Sequence, residues 1–384
     1  MKKKYNITAL ITAGVACTAL TLVCMVVVLI SRFGGTEGVS AALKYAQVRK
    51  IIDKYYIGEI DPNAMETMAF SGMIASLEDN WSYYMNAEQY EAYNRYSENQ
   101  YAGIGVSIAQ HEESGGLLII DVTEESPAEL AGIKAGDIII SVDDEDVLGM
   151  AVNEVRGIIQ SRLGGEMTLG LIDEEGVSRE VTVNCELIYK EPVSYKFLDD
   201  KIGYIDIDNF ENGSGSGAAD AVKELMAEGA KGIVFDVRSN PGGKVTQLLE
   251  ILDYLLPEGD LFITRSKNGD EKVETSDAEC VEIPFAVLVN ARSFSAAEFF
   301  AAALSEFEWA TVIGERTTGK GRSQITLELD DGSAVHISNN VYLTPNRIDL
   351  SEQGGLAPDI EVIQAEEGDT QLDKAIDFMR KSLS

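Results

Sequence analysis

What this chain has least of narrows it first. It holds only two histidines, His111 and His336, among 384 residues, so a mechanism built on imidazole has few places to sit. Of four cysteines, Cys17 and Cys24 lie in an apolar N-terminal run, while Cys185 and Cys280 stand far apart without metal-ligand spacing. Those last two can pair or remain free. No cluster calls for a metal or another cofactor. Basic residues are also scarce, with 31 Lys and Arg against 64 Asp and Glu and a formal charge of −33. So acidic a surface repels phosphate backbones and does not fit a nucleic-acid partner. Internal repeats and low-complexity tracts are missing as well.

Charge is missing altogether from residues 7–30, which follow Lys2, Lys3 and Lys4. About 20 apolar residues span a bilayer, so this run is long enough. The lysines then stay cytoplasmic and everything after Arg32 lies outside. A cleaved signal peptide is the competing reading. Its apolar region is usually about 7–15 residues, shorter than this one, so residues 1–36 are read as a basic end and an uncleaved transmembrane anchor.

Residues 37–98 form an N-terminal helical region. Tyr45, Val48, Ile52 and Tyr55 recur at helical spacing, as do Met65, Met68, Ala69, Met73 and Leu77. Asp61-Pro62 starts the second helix, and Asn86 with Gln89 gives a capping box for a third, with Tyr90 and Tyr93 on one face. These Met and Tyr stripes are expected to be core.

From Gln100 the pattern becomes short strands and glycines. Gly103-Ile104-Gly105-Val106 opens a strand, and Leu117 to Val122 forms another. Ser126-Pro127-Ala128-Glu129 caps a helix. A strand follows at Gly136 to Val142, then a helical stripe (Val152, Val155, Ile159) and an alternating strand (Met167, Leu169, Leu171). That order resembles a PDZ domain and sets its bounds at 99–186. By this resemblance Gly103, Ile104, Gly105 and Val106 form the carboxylate-binding loop. Successive N–H groups there can hold a terminal carboxylate while a peptide adds as a strand along Ile104–Ile108.

Residues 187–384 read as α/β. Ile202 to Ile207 is a strand, and Gly232 to Arg238 is a continuous apolar run of the kind buried on both sheet faces. It ends in Ser239-Asn240-Pro241-Gly242-Gly243, where main-chain N–H groups can face a site at a strand's carboxyl end. A second strand, Val287 to Val289, leads through Ser293 and Ser295 into an Ala/Phe-rich helix. Gly319-Lys320-Gly321 then closes a turn.

Three chemistries compete for this stretch. Gly314 to Lys320 matches the phosphate-loop spacing, but Gly321 stands where Ser or Thr is required and a strand follows instead of a helix. A Ser-His-Asp hydrolase lacks its histidine. His111 lies in the PDZ-like region, His336 sits mid-strand where a structural role is expected, and no G-x-S-x-G elbow is present. A Ser-Lys enzyme remains. Burial lowers a lysine pKa by up to several units, and a neutral Lys320 could take the proton from Ser295. Side-chain alternation would put Gln324 on the same face as Lys320. The oxyanion would face the N–H of Ala296 and that of a glycine in the Gly242-Gly243 turn.

The residues then resemble a known family, the carboxyl-terminal processing peptidases, which are tail-specific serine proteases. Ser293-Phe294-Ser295-Ala296-Ala297-Glu298 stands at that family's S-A-S-A-S-E, whose middle serine is the nucleophile. Thr318-Gly319-Lys320-Gly321 stands at F-G-K-G, and Gln324 at the glutamine four residues on. Asp236 to Gly243 matches D-L-R-x-N-x-G-G, whose last glycine, Gly243 here, is implied to supply an oxyanion N–H. Tyr342-Leu343-Thr344-Pro345 and Ala357-Pro358-Asp359 fit the closing segments. Departures fall at Phe294, Ala297, Thr318 and Gln160-Ser161. The resemblance covers nearly everything after residue 40.

The expected architecture is thus an α/β protease core, a mixed sheet with flanking helices, plus an inserted PDZ-like β-rich domain, an N-terminal helical segment and one transmembrane helix. The expected activity is that of a membrane-anchored serine endopeptidase. It would receive exposed C-terminal tails of protein substrates and cut through an acyl-enzyme with Ser295, Lys320 and Gln324. A homo-oligomer is compatible with this reading. The alternative is a PDZ scaffold whose protease-like core binds tails without cutting.

Overall fold

The computed structural model describes residues 7–198 and 201–384 and divides into two compact units, Met1–Phe70 and Ser71–Ser384. In the first, α1 (Ile7–Arg32) carries the apolar run. Its Ile11–Arg32 stretch, of mean hydropathy 2.6, is the one helix among the described residues long and apolar enough to cross a membrane. After it come α2 (Thr36–Tyr55) and α3 (Pro62–Ala75), the unit boundary falling within α3. Asp61 Oδ1 accepts from the N–H groups of Asn63 and Ala64, capping α3 behind its leading proline. The stripes expected to be core are not covered. Neither helix has a buried residue, and Val48, Tyr55, Met68 and Met73 are exposed. Periodicity reports that a helix has an apolar face, not what lies against it.

The second unit opens with β1 (Tyr83–Met85) and α4 (Ala87–Ser97), the latter held by the expected Asn86–Gln89 capping box. Next, β2 (Gln100–Gly103) leads into a β-rich region. It holds β3 (Val106–Gln110), β4 (Leu117–Val122), α5 (Pro127–Leu130), β5 (Ile138–Val142), β6 (Glu145–Asp146), α6 (Val152–Gln160), β7 (Glu166–Ile172) and β8 (Ser178–Asn184). The chain leaves through β9 (Glu186–Tyr189), antiparallel to β2, so entry and exit strands lie side by side. The sheet runs β3-β4-β5-β7-β8 with β6 on β5. Its core gathers Leu117, Ile119, Ile139, Val155, Leu169 and Leu171.

The remaining elements are β10 (Val193–Phe197), β11 (Ile202–Ile207), α7 (Ser214–Ala227), β12 (Gly232–Asp236), α8 (Val245–Leu255), β13 (Gly259–Ser266), β14 (Glu271–Ser276), β15 (Phe285–Val289), α9 (Ala296–Glu306), β16 (Ala310–Gly314), β17 (Arg322–Glu328), β18 (Ala334–Leu343), β19 (Ile360–Glu361) and α10 (Thr370–Ser382). One sheet runs β10-β11-β12-β15-β16-β19 and is parallel except for the β10–β11 pair. Side chains along its central strands alternate between two cores. Ile233, Phe235, Phe285, Val287 and Val289 pack with residues of α7, α8 and α9. Val234, Ala286 and Leu288 pack with Ala375 and Met379 of α10. Burial on both faces accounts for the unbroken apolar runs of β12 and β15.

A second sheet runs β1-β18-β13-β14, with β17 also paired to β18. Tyr83, Tyr84 and Met85 lie opposite His336, Val335 and Ala334, so a segment from early in the chain becomes a strand of the protease-like region. Cys185 is a buried free thiol, its pKa pushed up by burial, and Cys280 is free as well.

Candidate active site

Parallel strands β12 and β15 end side by side, and the loops that follow them meet. Asn240 Oδ1 accepts from the Gly242 N–H at 2.8 Å, while Asn240 Nδ2 donates to the Ile207 carbonyl. The Phe294 N–H donates to the Asn240 carbonyl, which ties the two loops together. Contact is close enough to require glycine. A Cβ on Gly242 would stand 2.7 Å from Ser295 Cβ, and Gly242 has φ 87°. With the Gly242 N–H already engaged, Gly243 is the turn's candidate oxyanion donor. Ala296 opens α9, where the first N–H groups have no partner within the helix.

The two serines have different surroundings. Ser293 is fully buried and its hydroxyl donates to the Val237 carbonyl at 2.7 Å, so it closes the loop. Ser295 lines a cavity of about 470 Å³ shared with Gly243, Lys320 and Gln324. Its φ of 58° puts a non-glycine residue in the left-handed region, a conformation that costs about 1–3 kcal/mol and persists only where its surroundings impose it.

Glu298 is the main restraint. Fully buried, it accepts from the Ser295 N–H (2.8 Å), the Lys320 N–H (2.8 Å), the Gly319 N–H (2.7 Å) and the Thr317 hydroxyl. One carboxylate therefore joins the serine turn to the lysine turn. The Thr318 N–H adds a bond to the Ser293 carbonyl, and the Thr318 hydroxyl one to the Ala291 carbonyl.

Lys320 is largely buried, and desolvation holds its pKa below the ordinary lysine value; Glu298, Asp79 and Glu211 pull the other way. Its Nζ lies 4.7 Å from the Trp81 ring centroid and 5.9 Å from that of Phe294. Gln324 Nε2 donates to the Arg322 carbonyl and the Ser338 hydroxyl. A bulge in the β17–β18 pairing at Ser323/Gln324 interrupts the simple alternation expected there. Even so, Lys320 and Gln324 reach the same cavity.

Several lining groups were not legible from the sequence. Glu211 is buried, takes a hydrogen bond from the Ser97 hydroxyl, and has its pKa raised by desolvation to about 7. His336 lines the cavity too. Its ring nitrogen bonds the Thr326 hydroxyl, it stacks on Tyr83, and desolvation lowers its pKa to about 4. That makes it a neutral structural wall at neutral pH, in keeping with the role expected of it. The other histidine, His111, bonds Ser114 within the β3–β4 turn.

At the PDZ-like region, β3 forms the edge of its sheet, with α6 packed along it. Carbonyls of Ile104 and Gly105 accept from the N–H groups of Ala128 and Thr123. In trans peptides the next N–H groups, those of Gly105 and Val106, point the opposite way. Gly105 has φ 87°, and a Cβ there would meet Ser126 Cβ at 2.2 Å. Gly103 is paired in β2, opposite Glu186.

Comparison with known proteins identifies the family. The sequence matches the profile of peptidase family S41 over residues 201–362, a PDZ domain over 118–172, and the N-terminal domain of the activating protease CtpB over 34–89. It is 35% identical over 341 residues to the carboxy-terminal processing protease CtpA of Bacillus subtilis, covering 87% of this chain and 72% of that one. The solved photosystem II D1 C-terminal processing protease aligns with a TM-score of 0.50 at 25% identity, covering 83% of this chain and 86% of that one. An S41 protease structure from Bacteroides fragilis shares the fold, with a TM-score of 0.55 at 16% identity over 84% of this chain and 91% of that one. The chain therefore belongs to the S41 peptidases, as a carboxy-terminal processing serine protease with a PDZ domain.

Proposed function

We propose that the chain is a membrane-anchored endopeptidase that cuts proteins near exposed C-terminal tails by a Ser-Lys-Gln mechanism. The observation that carries this reading is the convergence of Ser295, Lys320 and the Gly242-Gly243 turn on one cavity. Ser295 Oγ attacks the scissile carbonyl carbon while its proton passes to the neutral Lys320 amine. The resulting oxyanion is held by the N–H groups of Gly243 and Ala296, each such donor being worth about 100–1,000-fold in rate. Collapse breaks the C–N bond, and the leaving amine takes the proton from Lys320. Water then attacks the Ser295 ester, giving its proton to the Lys320 amine, which returns it to Ser295 Oγ as the ester C–O bond breaks. Gln324 keeps the amine in place without adding charge.

The tail is received along β3, with its carboxylate at the Gly103–Val106 loop. The apolar run of α1, mean hydropathy 2.6 over Ile11–Arg32, supports an anchor in the cell membrane with the catalytic part outside the cytoplasm. Cleavage of an unstructured protein with a free apolar C-terminus tests the reading. Ser295→Ala and Lys320→Ala are each expected to abolish it, and Gln324→Ala to weaken it. Undiminished cleavage by the first two would refute it.

A further inference from the structure

We infer that Trp81 is a positioning residue of the reaction: with Phe294 it forms an aromatic slot that holds the Lys320 amine and keeps water from it. This rests on the Ser-Lys reading above. Lys320 Nζ lies 4.7 Å from one ring centroid and 5.9 Å from the other, and the rings themselves are 5.9 Å apart at an interplanar angle of 31°. The amine therefore sits at the junction of two ring faces. Its main chain is fixed separately, through the Lys320 N–H bond to Glu298.

Trp81 is itself held by a short network. The Trp81 N–H and the Ser82 hydroxyl both donate to Asp79, and the Ser338 N–H donates to Ser82 Oγ. Ser338 Oγ accepts in turn from Gln324. Pairing of β1 with β18 then fixes the residues just after Trp81 against His336. A residue within the matched N-terminal domain, residues 34–89, is thereby built into the wall around the lysine of the S41 region.

A slot of this kind has two opposed effects on the amine. Ring faces attract an ammonium, whereas excluding water penalises it. Desolvation dominates at Lys320, whose pKa is lowered although Glu298, Asp79 and Glu211 all raise it. His336 faces the amine from β18 and is held neutral near pH 7, with a pKa of about 4. Tyr83, Tyr93, Tyr96, Tyr342 and Lys244 also face the cavity, and Arg322 interacts with Asp79. The aromatic walls thus favour the free base within an otherwise acidic surround.

The pH dependence of acylation of the full-length enzyme by a fluorophosphonate, and of kcat/KM on an unstructured protein substrate, tests this. Trp81→Ala admits water to the amine, so the acid limb is expected to move about one pH unit higher. Rates below the limb then fall about tenfold, and the gap closes at alkaline pH. Trp81→Phe retains a ring and should leave the limb at its wild-type position. Phe294→Ala removes the other wall and should shift the limb in the same direction. It also serves as the deciding variant should Trp81→Ala fail to fold. A limb that stays in place in Trp81→Ala, whether rates are normal or uniformly reduced, overturns the inference, and so does an unmoved limb in Phe294→Ala when Trp81→Ala does not fold. Lys320→Ala separates the two levels: full activity there removes the Ser-Lys reading itself, while an inactive Lys320→Ala beside an unmoved Trp81→Ala limb removes only the role of Trp81.

Discussion

Replacing Glu298 with glutamine tests how two loops are held in register. The carboxylate is fully buried and accepts four hydrogen bonds, two at each oxygen. A glutamine amide keeps one acceptor oxygen and turns the other side into a donor. The least costly orientation keeps oxygen toward the Ser295 and Lys320 N–H groups and aims the NH2 at Thr317, whose hydroxyl can rotate to accept. The Gly319 N–H then loses its partner, at about 1–3 kcal/mol. The two surviving bonds lose their charge assistance, roughly 1 kcal/mol each. A total near 3–5 kcal/mol corresponds to a fall in melting temperature of roughly 6–20 °C for a domain of this order of size.

Kinetics supply a second readout of the same change. Glu298 raises the Lys320 pKa, so its neutralisation should move the acid limb of kcat/KM to lower pH even as the maximal rate drops. Calorimetry and a pH–rate profile on the folded variant would check both. Wild-type melting together with wild-type kcat would refute the argument that this carboxylate holds the Ser295 turn in its left-handed conformation.

Further expectations follow from the neighbouring groups. Glu211 titrates from an ordinary value of 4.5 up to about 7 in the folded chain, so the folded state holds a proton that the unfolded state has released. Its contribution to stability is full below 4.5 and is lost as pH rises to about 7, on the order of 3 kcal/mol. Glu211→Gln should flatten that decline in chemical denaturation measured across this window. Gly242→Ala should leave secondary structure intact by circular dichroism yet lower kcat by about 100–1,000-fold, because the new Cβ would stand 2.7 Å from Ser295 Cβ and 3.0 Å from the Ala296 nitrogen.

Local pattern made the alternating strands and helices of the S41 region legible, because β12 and β15 are buried on both faces and read as unbroken apolar runs. The Asn86 and Asp61 caps were legible for a similar reason, since caps are short-range chemistry. Ser295 and Lys320 stood out because small residues and glycines flank them at turns, and Gln324 was reached from Lys320 by strand alternation and by the resemblance. What escaped was everything that depends on partners distant in the chain. Glu298 could be read as a motif residue, but not as the acceptor for Gly319 and Lys320. Trp81, Glu211 and His336 come from three separate segments that meet only because β1 pairs with β18 and the loop after β11 runs alongside that after β12. The apolar stripes of α2 and α3 misled for a related reason: a helix's own sequence records its amphipathicity, while coverage belongs to its surroundings.

The left-handed backbone at Ser295 also acts as a filter on which atoms can occupy the nucleophile's place. At φ 58° a side chain branched at Cβ is a severe misfit, so threonine is barred there although it carries the same hydroxyl. Cysteine has serine's branching and passes. The turn therefore selects by shape before reactivity is considered, admitting an alcohol or a thiol only on an unbranched carbon.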